Sequence, residues 1–339
     1  MNRRGLCLVV LLALLAIVTV LSLGFGAVSI GPQRIVEILW AEHQSPRPPS
    51  DVTIVWELRL PRLLLACLVG CGLGAAGAGY QGLFRNPLAD PFVIGASSGA
   101  ALGATLAIVT GLNVAAPGLG TVPLAALVGA LLAVAIVYSV ASIGRDVPLL
   151  TLLLAGVAVS NFCIAVVSLL MFLHDEKLVT IFGWLMGSLS GRGWAVLHTT
   201  APWILAGVAG LWLLARSLDA LTFGEEAASA LGLRLARLRA WVVLAASITT
   251  AAAVAAGGII GFVGLVSPHI ARLLVGARHA FVIPASGLVG ALLLVVADDL
   301  ARTVTAPAEL PVGVVTALLG SPFFLVLLKT RERNPGRGV

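Results

Sequence analysis

The chain has 339 residues, of which 59% are hydrophobic and 11% charged, with a formal net charge of +6 and a mean hydropathy of +1.07. A soluble globular chain carries about 25% charged residues, so a soluble enzyme with one anchor is excluded and a polytopic membrane protein is expected. Cys7, Cys67, Cys71 and Cys163 all sit in apolar runs. Cys67 and Cys71 share a helix face, but with no Cys-x-x-Cys pair or Cys/His cluster the four read as small buried hydrophobes, not metal or redox groups.

A helix needs about 20 apolar residues to cross the hydrocarbon. On that basis the apolar runs sort into ten spans: 5–30, 60–80, 93–112, 121–143, 148–173, 194–216, 240–257, 259–275, 281–300 and 312–328. The first follows Arg3 and Arg4 and carries no charge from Gly5 to Gln33. It is longer than the roughly 7–15 apolar residues of a signal peptide, which favours a retained helix. Between Arg239 and Arg272 nothing is formally charged, so residues 240–271 read as one long tilted helix or two short ones. Gly257-Gly258 favours a break, and Ser267-Pro268 adds a second irregularity.

Charge placement supports ten spans with both termini inside. The inner face then takes Arg3, Arg4, Arg85, Arg145, Arg216, Arg234, Arg237, Arg239, Arg272, Arg278, Lys329, Arg331, Arg333 and Arg337. The outer face takes Arg34, Arg47, Arg59, Arg62, Lys177, Arg192 and Arg302. Fourteen of the 21 basic residues are thus inside, in the direction of the positive-inside rule. Merging the doubtful pair would put the basic tail Lys329–Arg337 outside.

Small residues recur at i, i+4 spacing inside the spans: Gly70 and Gly74; Gly95, Gly99 and Gly103; Gly257 and Gly261. In lipid, close backbone approach is a principal source of packing energy, so a tight bundle is expected. Gly72-Leu-Gly74-Ala-Ala-Gly77 matches GxGxxG, but it lies inside an apolar span with no preceding strand, which argues against a dinucleotide site. Gly95-Ala-Ser97-Ser-Gly99 matches GxSxG, yet it opens a span and has no His nearby in sequence. No phosphate-binding loop occurs. Asp298, Asp299, His198 and His269 fall near span ends, leaving almost no ionisable group at mid-depth. A transporter without an internal coupling group points to an external energy source, a partner ATPase.

One polar amphipathic segment interrupts the apolar runs, Thr222-Phe-Gly-Glu-Glu-Ala-Ala-Ser-Ala-Leu-Gly-Leu233. Thr222 is a candidate N-cap, Glu225 and Glu226 fall in the first turn, and Gly232 stands near the end. Arg216 precedes it and Arg234, Arg237 and Arg239 follow. Such a segment can lie under the bilayer and pass force to a soluble partner.

Several blocks resemble, in order over almost the whole chain, the FecCD family of ABC-importer permeases. They are Arg59-Leu-Pro-Arg62, Gln81-Gly-Leu-Phe-Arg-Asn-Pro-Leu-Ala-Asp-Pro91, Ile94-Gly-Ala-Ser-Ser-Gly-Ala-Ala-Leu-Gly103 and Gly224-Glu-Glu-Ala-Ala. The run Gly257–Arg272, Glu309-Leu-Pro-Val-Gly313 and Gly320-Ser-Pro322 complete the set. The resemblance implies an all-α bundle of ten transmembrane helices in one permease domain, 1–339. Within it, 5–217 would hold six helices, 218–238 a cytoplasmic coupling segment and 239–330 the last four.

It further implies a dimer of permease subunits in the bacterial inner membrane, with both termini cytoplasmic. Two ATP-binding subunits would use ATP and magnesium, none being held by this chain, and an extracytoplasmic protein would deliver the ligand. Phe223, Gly224, Glu225, Glu226, Ala227, Leu231 and Gly232 would couple to the ATPase, and Arg59, Arg62 and Arg302 would dock the binding protein. Arg85, Asn86, Pro87 and Asp90 would shape a cytoplasmic turn, with ATPase contact as a second role.

Where relatives place small polar gate residues, this chain has Val147-Pro-Leu-Leu-Thr151, mostly aliphatic. Family cargoes are ferric siderophores, haem and cobalamin. Family frequency favours an iron complex, with cobalamin as the alternative, and Tyr80, Tyr138, His174 and His198 offer polar contacts without a haem-specific pattern. A secondary carrier and an intramembrane enzyme are the other classes; the first predicts uptake without ATP, the second a buried nucleophile–base pair.

Overall fold

The computed structural model describes residues 3–26, 28–42, 49–114, 118–142 and 147–333. All regular structure among them is helical. The principal helices are α1 (Arg3–Ser22), α2 (Leu60–Phe84), α3 (Ala96–Thr110), α4 (Thr121–Ala141) and α5 (Leu149–Leu173), then α6 (Trp194–Leu213), α7 (Leu235–Gly257), α8 (Val263–Val275), α9 (His279–Thr303) and α10 (Val312–Arg333). In the hydrocarbon every backbone polar group needs a partner within the chain, so apolar runs of this length are driven into helices despite their glycines.

Each of the ten expected spans contains one of these helices, but not all reach crossing length. Among the described residues, seven helices are long and apolar enough to cross a membrane, while α3, α8 and the apolar part of α10 are shorter. Glycine stops account for α3, which starts after Gly95 and ends before Gly111, both left-handed. The doubtful segment is two helices: α7 ends at Gly257, and Gly258 (φ 74°) and Phe262 (φ 66°) turn the chain into α8.

Several short helices have no counterpart among the expected spans. Pro32–Glu37, Ile38–Glu42, Ser50–Thr53 and Ile54–Arg59 lead into α2, and Leu178–Leu185 follows α5. The first helix also stops at Ser22, well short of residue 30. Of the basic residues assigned to faces, Arg47, Arg145 and Arg337 lie outside the described residues.

α2 sits at the centre, against α6, α7, α8 and α9, while α3, α4 and α5 pack as a neighbouring group. Close approach follows the glycines. A Cβ at Gly70 would meet the Gly290 carbonyl of α9, and one at Gly74 the Ser286 carbonyl. On the other seam Gly99 faces Gly129, and Gly103 faces Ala125. The third pair differs: Gly257 lies against Leu189 and Ile260, but Gly261 faces open space.

Side-chain contacts divide the bundle into two ends. At one, the Arg4 guanidinium lies 5.6 Å from the Phe281 ring centre at the start of α9, and Trp212 Nε1 donates to the Ala280 carbonyl at 3.1 Å. At the other, Arg302 near the end of α9 donates to the Ser22 carbonyl at the end of α1 (2.9 Å). α1 and α9 therefore run the same way, and α2 runs against them from Arg62 to Gln81.

Candidate functional site

The polar segment between α6 and α7 folds into two short helices, Ala215–Leu221 and Glu225–Ala230. Thr222 does not cap the second. Its hydroxyl donates back to the Asp219 carbonyl (2.6 Å), closing the first helix, and Gly224 (φ 107°) takes the N-cap position. Glycine reaches that angle without steric cost, which a threonine could not. Gly232 (φ 83°) ends the segment, with Leu233 N donating to the Ala228 carbonyl, a Schellman-type stop.

Glu225 and Glu226 occupy the first turn, where the helix dipole favours negative charge. Glu225 has a further role: it pairs with Arg239 at 2.6 Å. Arg239 is buried in α7 and also donates to the Val147 carbonyl, just before α5, at 2.8 Å. One side chain thus ties the short helix to two long ones. Glu226 points to solvent, Ala228 is buried, and Phe223 and Leu231 stand 79% and 72% exposed on either side of the helix. Two apolar knobs flanking a short, anchored helix suit insertion into a groove of another protein.

The turn after α2 lies beside this segment. Arg85 adopts a left-handed conformation (φ 48°) at the end of α2, with its guanidinium near Gly224. Asn86 Oδ1 accepts from Leu88 N and Asp90 Oδ1 from Phe92 N, both at 2.9 Å, so both side chains shape the turn through local bonds. Burial pushes the Asp90 carboxyl up to about 6, against the hydrogen bond from Phe92. The Pro91 ring lies against Gly264 of α8.

Gln81, quoted above only as part of a block, is the node beneath that turn. Its Nε2 donates to the Ala89 and Leu265 carbonyls (3.2 and 3.3 Å), and its Oε1 accepts from Arg272 (2.7 Å). Nearby, Asp219 accepts from both the backbone N and the Nδ1 of His279 (2.8 and 2.7 Å).

At the opposite end the structure brings Arg59, Arg62 and Arg302 together, but it occupies them. Arg59 is buried and donates to the Leu23 and Val28 carbonyls. Arg302 is buried too, bonded to Asp299 and Ser22. The Arg62 side chain keeps 12% of its surface and bridges two carboxylates, fully buried Asp298 (2.9 Å) and half-exposed Glu309 (3.0 Å). Burial pushes the Glu309 carboxyl up, but the hydrogen-bonded Arg62 guanidinium outweighs this and holds it below its ordinary value. Of the three, Arg62 is the one paired with a partly exposed carboxylate, Glu309.

No group of three or more His, Cys, Asp or Glu side chains converges among the described residues. In the GxSxG match, Ser98 rather than Ser97 is engaged, bonding the Gly95 carbonyl and Ser160. The Arg239 clamp, the Gln81 node and the carboxylate partners of Arg62 are the features that sequence reasoning missed. For Arg239 a signal existed: it is the last of three closely spaced arginines and directly precedes an apolar run.

Comparison with known proteins finds relatives over nearly the whole chain. The hemin transport system permease HmuU of Yersinia pestis is 40% identical, covering 96% of both chains. The cobalamin import permease BtuC of Halobacterium salinarum is 44% identical over 84% of this chain and 76% of its own. A solved structure, described as an inward-facing metal-chelate type ABC transporter, superposes with a TM-score of 0.83 at 36% identity, covering 95% of this chain and 98% of the other. The profile of the FecCD transport family matches residues 14–330. The chain belongs to the FecCD transport family of ABC transporter permeases, multi-pass membrane components that work with ATPase partners and are not themselves enzymes.

Proposed function

We propose that this chain is the permease subunit of a binding-protein-dependent importer for an iron complex, a ferric siderophore or haem. It crosses the bacterial inner membrane ten times, with the Glu225 end and both termini cytoplasmic, and pairs with a second copy around a central pathway. The three short apolar helices complete the crossing together with the irregular segments next to them. The hemin relative, matched over nearly its full length, and the metal-chelate transporter structure favour the iron complex. The cobalamin relative, at 44% identity, keeps cobalamin as the second reading.

One observation carries the mechanism: the Glu225–Arg239–Val147 tie. When ATP closes the partner ATPase dimer, the docked helix Glu225–Ala230 moves. Because Arg239 holds both that helix and the approach to α5, displacement passes to α7 and α5 together instead of bending one loop. The bundle then rocks between outward and inward openings, and no covalent chemistry occurs in the chain.

At the outer end, Arg59, Arg62 and Arg302 serve the binding protein in different ways. Arg59 and Arg302 fix the loops and helix ends, while Arg62 receives an incoming acidic side chain by exchanging Glu309, its more exposed partner. Proteoliposomes holding the permease, ATPase and binding protein test the function. ATP-dependent uptake of haem or a ferric siderophore is expected, and uptake of cobalamin alone would replace the iron reading with the second one.

A further inference from the structure

A cavity of about 660 Å³ opens beside the coupling segment, between the end of α2, the short helix Ala215–Leu221 and the α8–α9 connection. Its walls carry three arginines, Arg85, Arg272 and Arg278, against one carboxylate, Asp219, with the imidazoles of His269 and His279 beside them. That carboxylate is already engaged, accepting both N–H groups of His279. Arg272 is held on Gln81. Arg85 and Arg278 are exposed, and neither side chain has a hydrogen-bonding or ionic partner among the described residues. The cavity therefore concentrates positive charge that the chain does not answer.

Its position identifies what answers it. Phe223, an exposed knob of the coupling segment, is also part of the cavity wall, and Arg85 reaches Gly224 at the start of the Glu225–Ala230 helix. A body seated over that helix also covers the cavity mouth. We infer that the cavity receives an acidic segment of the ATPase subunit, whose carboxylates pair with Arg85 and Arg278. The inference rests on the permease reading and adds to it a second, electrostatic contact that sets the strength and salt sensitivity of assembly. Arginine suits the task, since its planar fork binds carboxylates in bidentate fashion.

The test uses the full-length chain in nanodiscs of phosphatidylcholine alone, titrated with its partner ATPase at low and high salt. Two exposed pairs lost together should weaken binding of R85Q/R278Q about fivefold at low salt, with the gap closing at high salt. R85K/R278K, which keeps the charges, should restore most of the affinity. It should also give a carbodiimide crosslink between an introduced amine and an Asp or Glu of the ATPase. Equal binding by wild type and R85Q/R278Q would overturn the inference and leave the permease reading standing. A defect appearing only in nanodiscs containing anionic phosphatidylglycerol would also overturn it, assigning the cavity to a lipid headgroup. A wild-type chain that binds no ATPase would sink the permease reading itself.

Discussion

Asp298 is fully buried at the end that carries Arg62, and its charge is answered by Arg62 at 2.9 Å and Arg302 at 3.9 Å. Removing one partner of a buried pair leaves an uncompensated charge, so Arg62→Ala should lose about 3–5 kcal/mol of stability. Thermal unfolding in detergent reads this, and an unchanged midpoint would remove the pair from the account. Binding-protein docking is tested more cleanly at Glu309, since reversing Arg62 would also damage the fold. Glu309→Gln should free part of Arg62 and strengthen docking in a salt-dependent way. Its carboxyl is held low, so the Arg62 contact stabilises fully above the ordinary carboxylate range and is lost as pH falls through the depressed value. Asp90 behaves in the opposite sense. Its carboxyl is raised to about 6, so the folded state loses stability as pH climbs from the ordinary value of 3.8 through 6. Asp90→Asn keeps an oxygen for Phe92 N and should be about 1–2 kcal/mol more stable than wild type at neutral pH, the two converging in acid. The sequence made the three outer arginines visible because they share a predicted face. Their carboxylate partners stayed hidden because Asp298 and Glu309 lie more than two hundred positions along the chain from Arg62.

Among the helices, the glycine seams decide where backbones touch. Gly70→Ala would push a methyl into the Gly290 carbonyl, where neither backbone can yield cheaply. Overpacking of that kind costs about 1–3 kcal/mol. Gly261→Ala should cost nothing measurable, because its Cβ direction is open. Unfolding midpoints of the two variants separate these outcomes, and equal losses would mean that the seam does not set the packing. Spacing alone made Gly257/Gly261 look like the other pairs; it could not show that Gly261 lies past the helix end, in the turn between α7 and α8. Long helices were legible from run length, since lipid leaves an apolar run few other structures. Leu178–Leu185 was not, because eight residues are too few to register as a span even with Asp175-Glu176-Lys177 just before them. Thr222 misled for a local reason: a hydroxyl can close the preceding helix as readily as it opens the next.

For the whole molecule, the division of charge between two ends was legible because basic residues sort by side. The short polar helix was legible because it is the one acidic amphipathic break in a greasy half-chain. What the sequence could not show is how that helix is attached, since Glu225, Arg239 and Val147 meet only in three dimensions. In the proposed mechanism that attachment makes the segment a lever on α5 and α7 rather than a loose tether. The direct measurement is ATP-driven uptake in proteoliposomes carrying the ATPase and binding protein, with wild type, Glu225→Arg, Arg239→Glu and the double exchange compared. Each single reversal should abolish most uptake while ATP hydrolysis continues, and the double exchange should recover a substantial part of it. Full uptake by either single variant would contradict the lever.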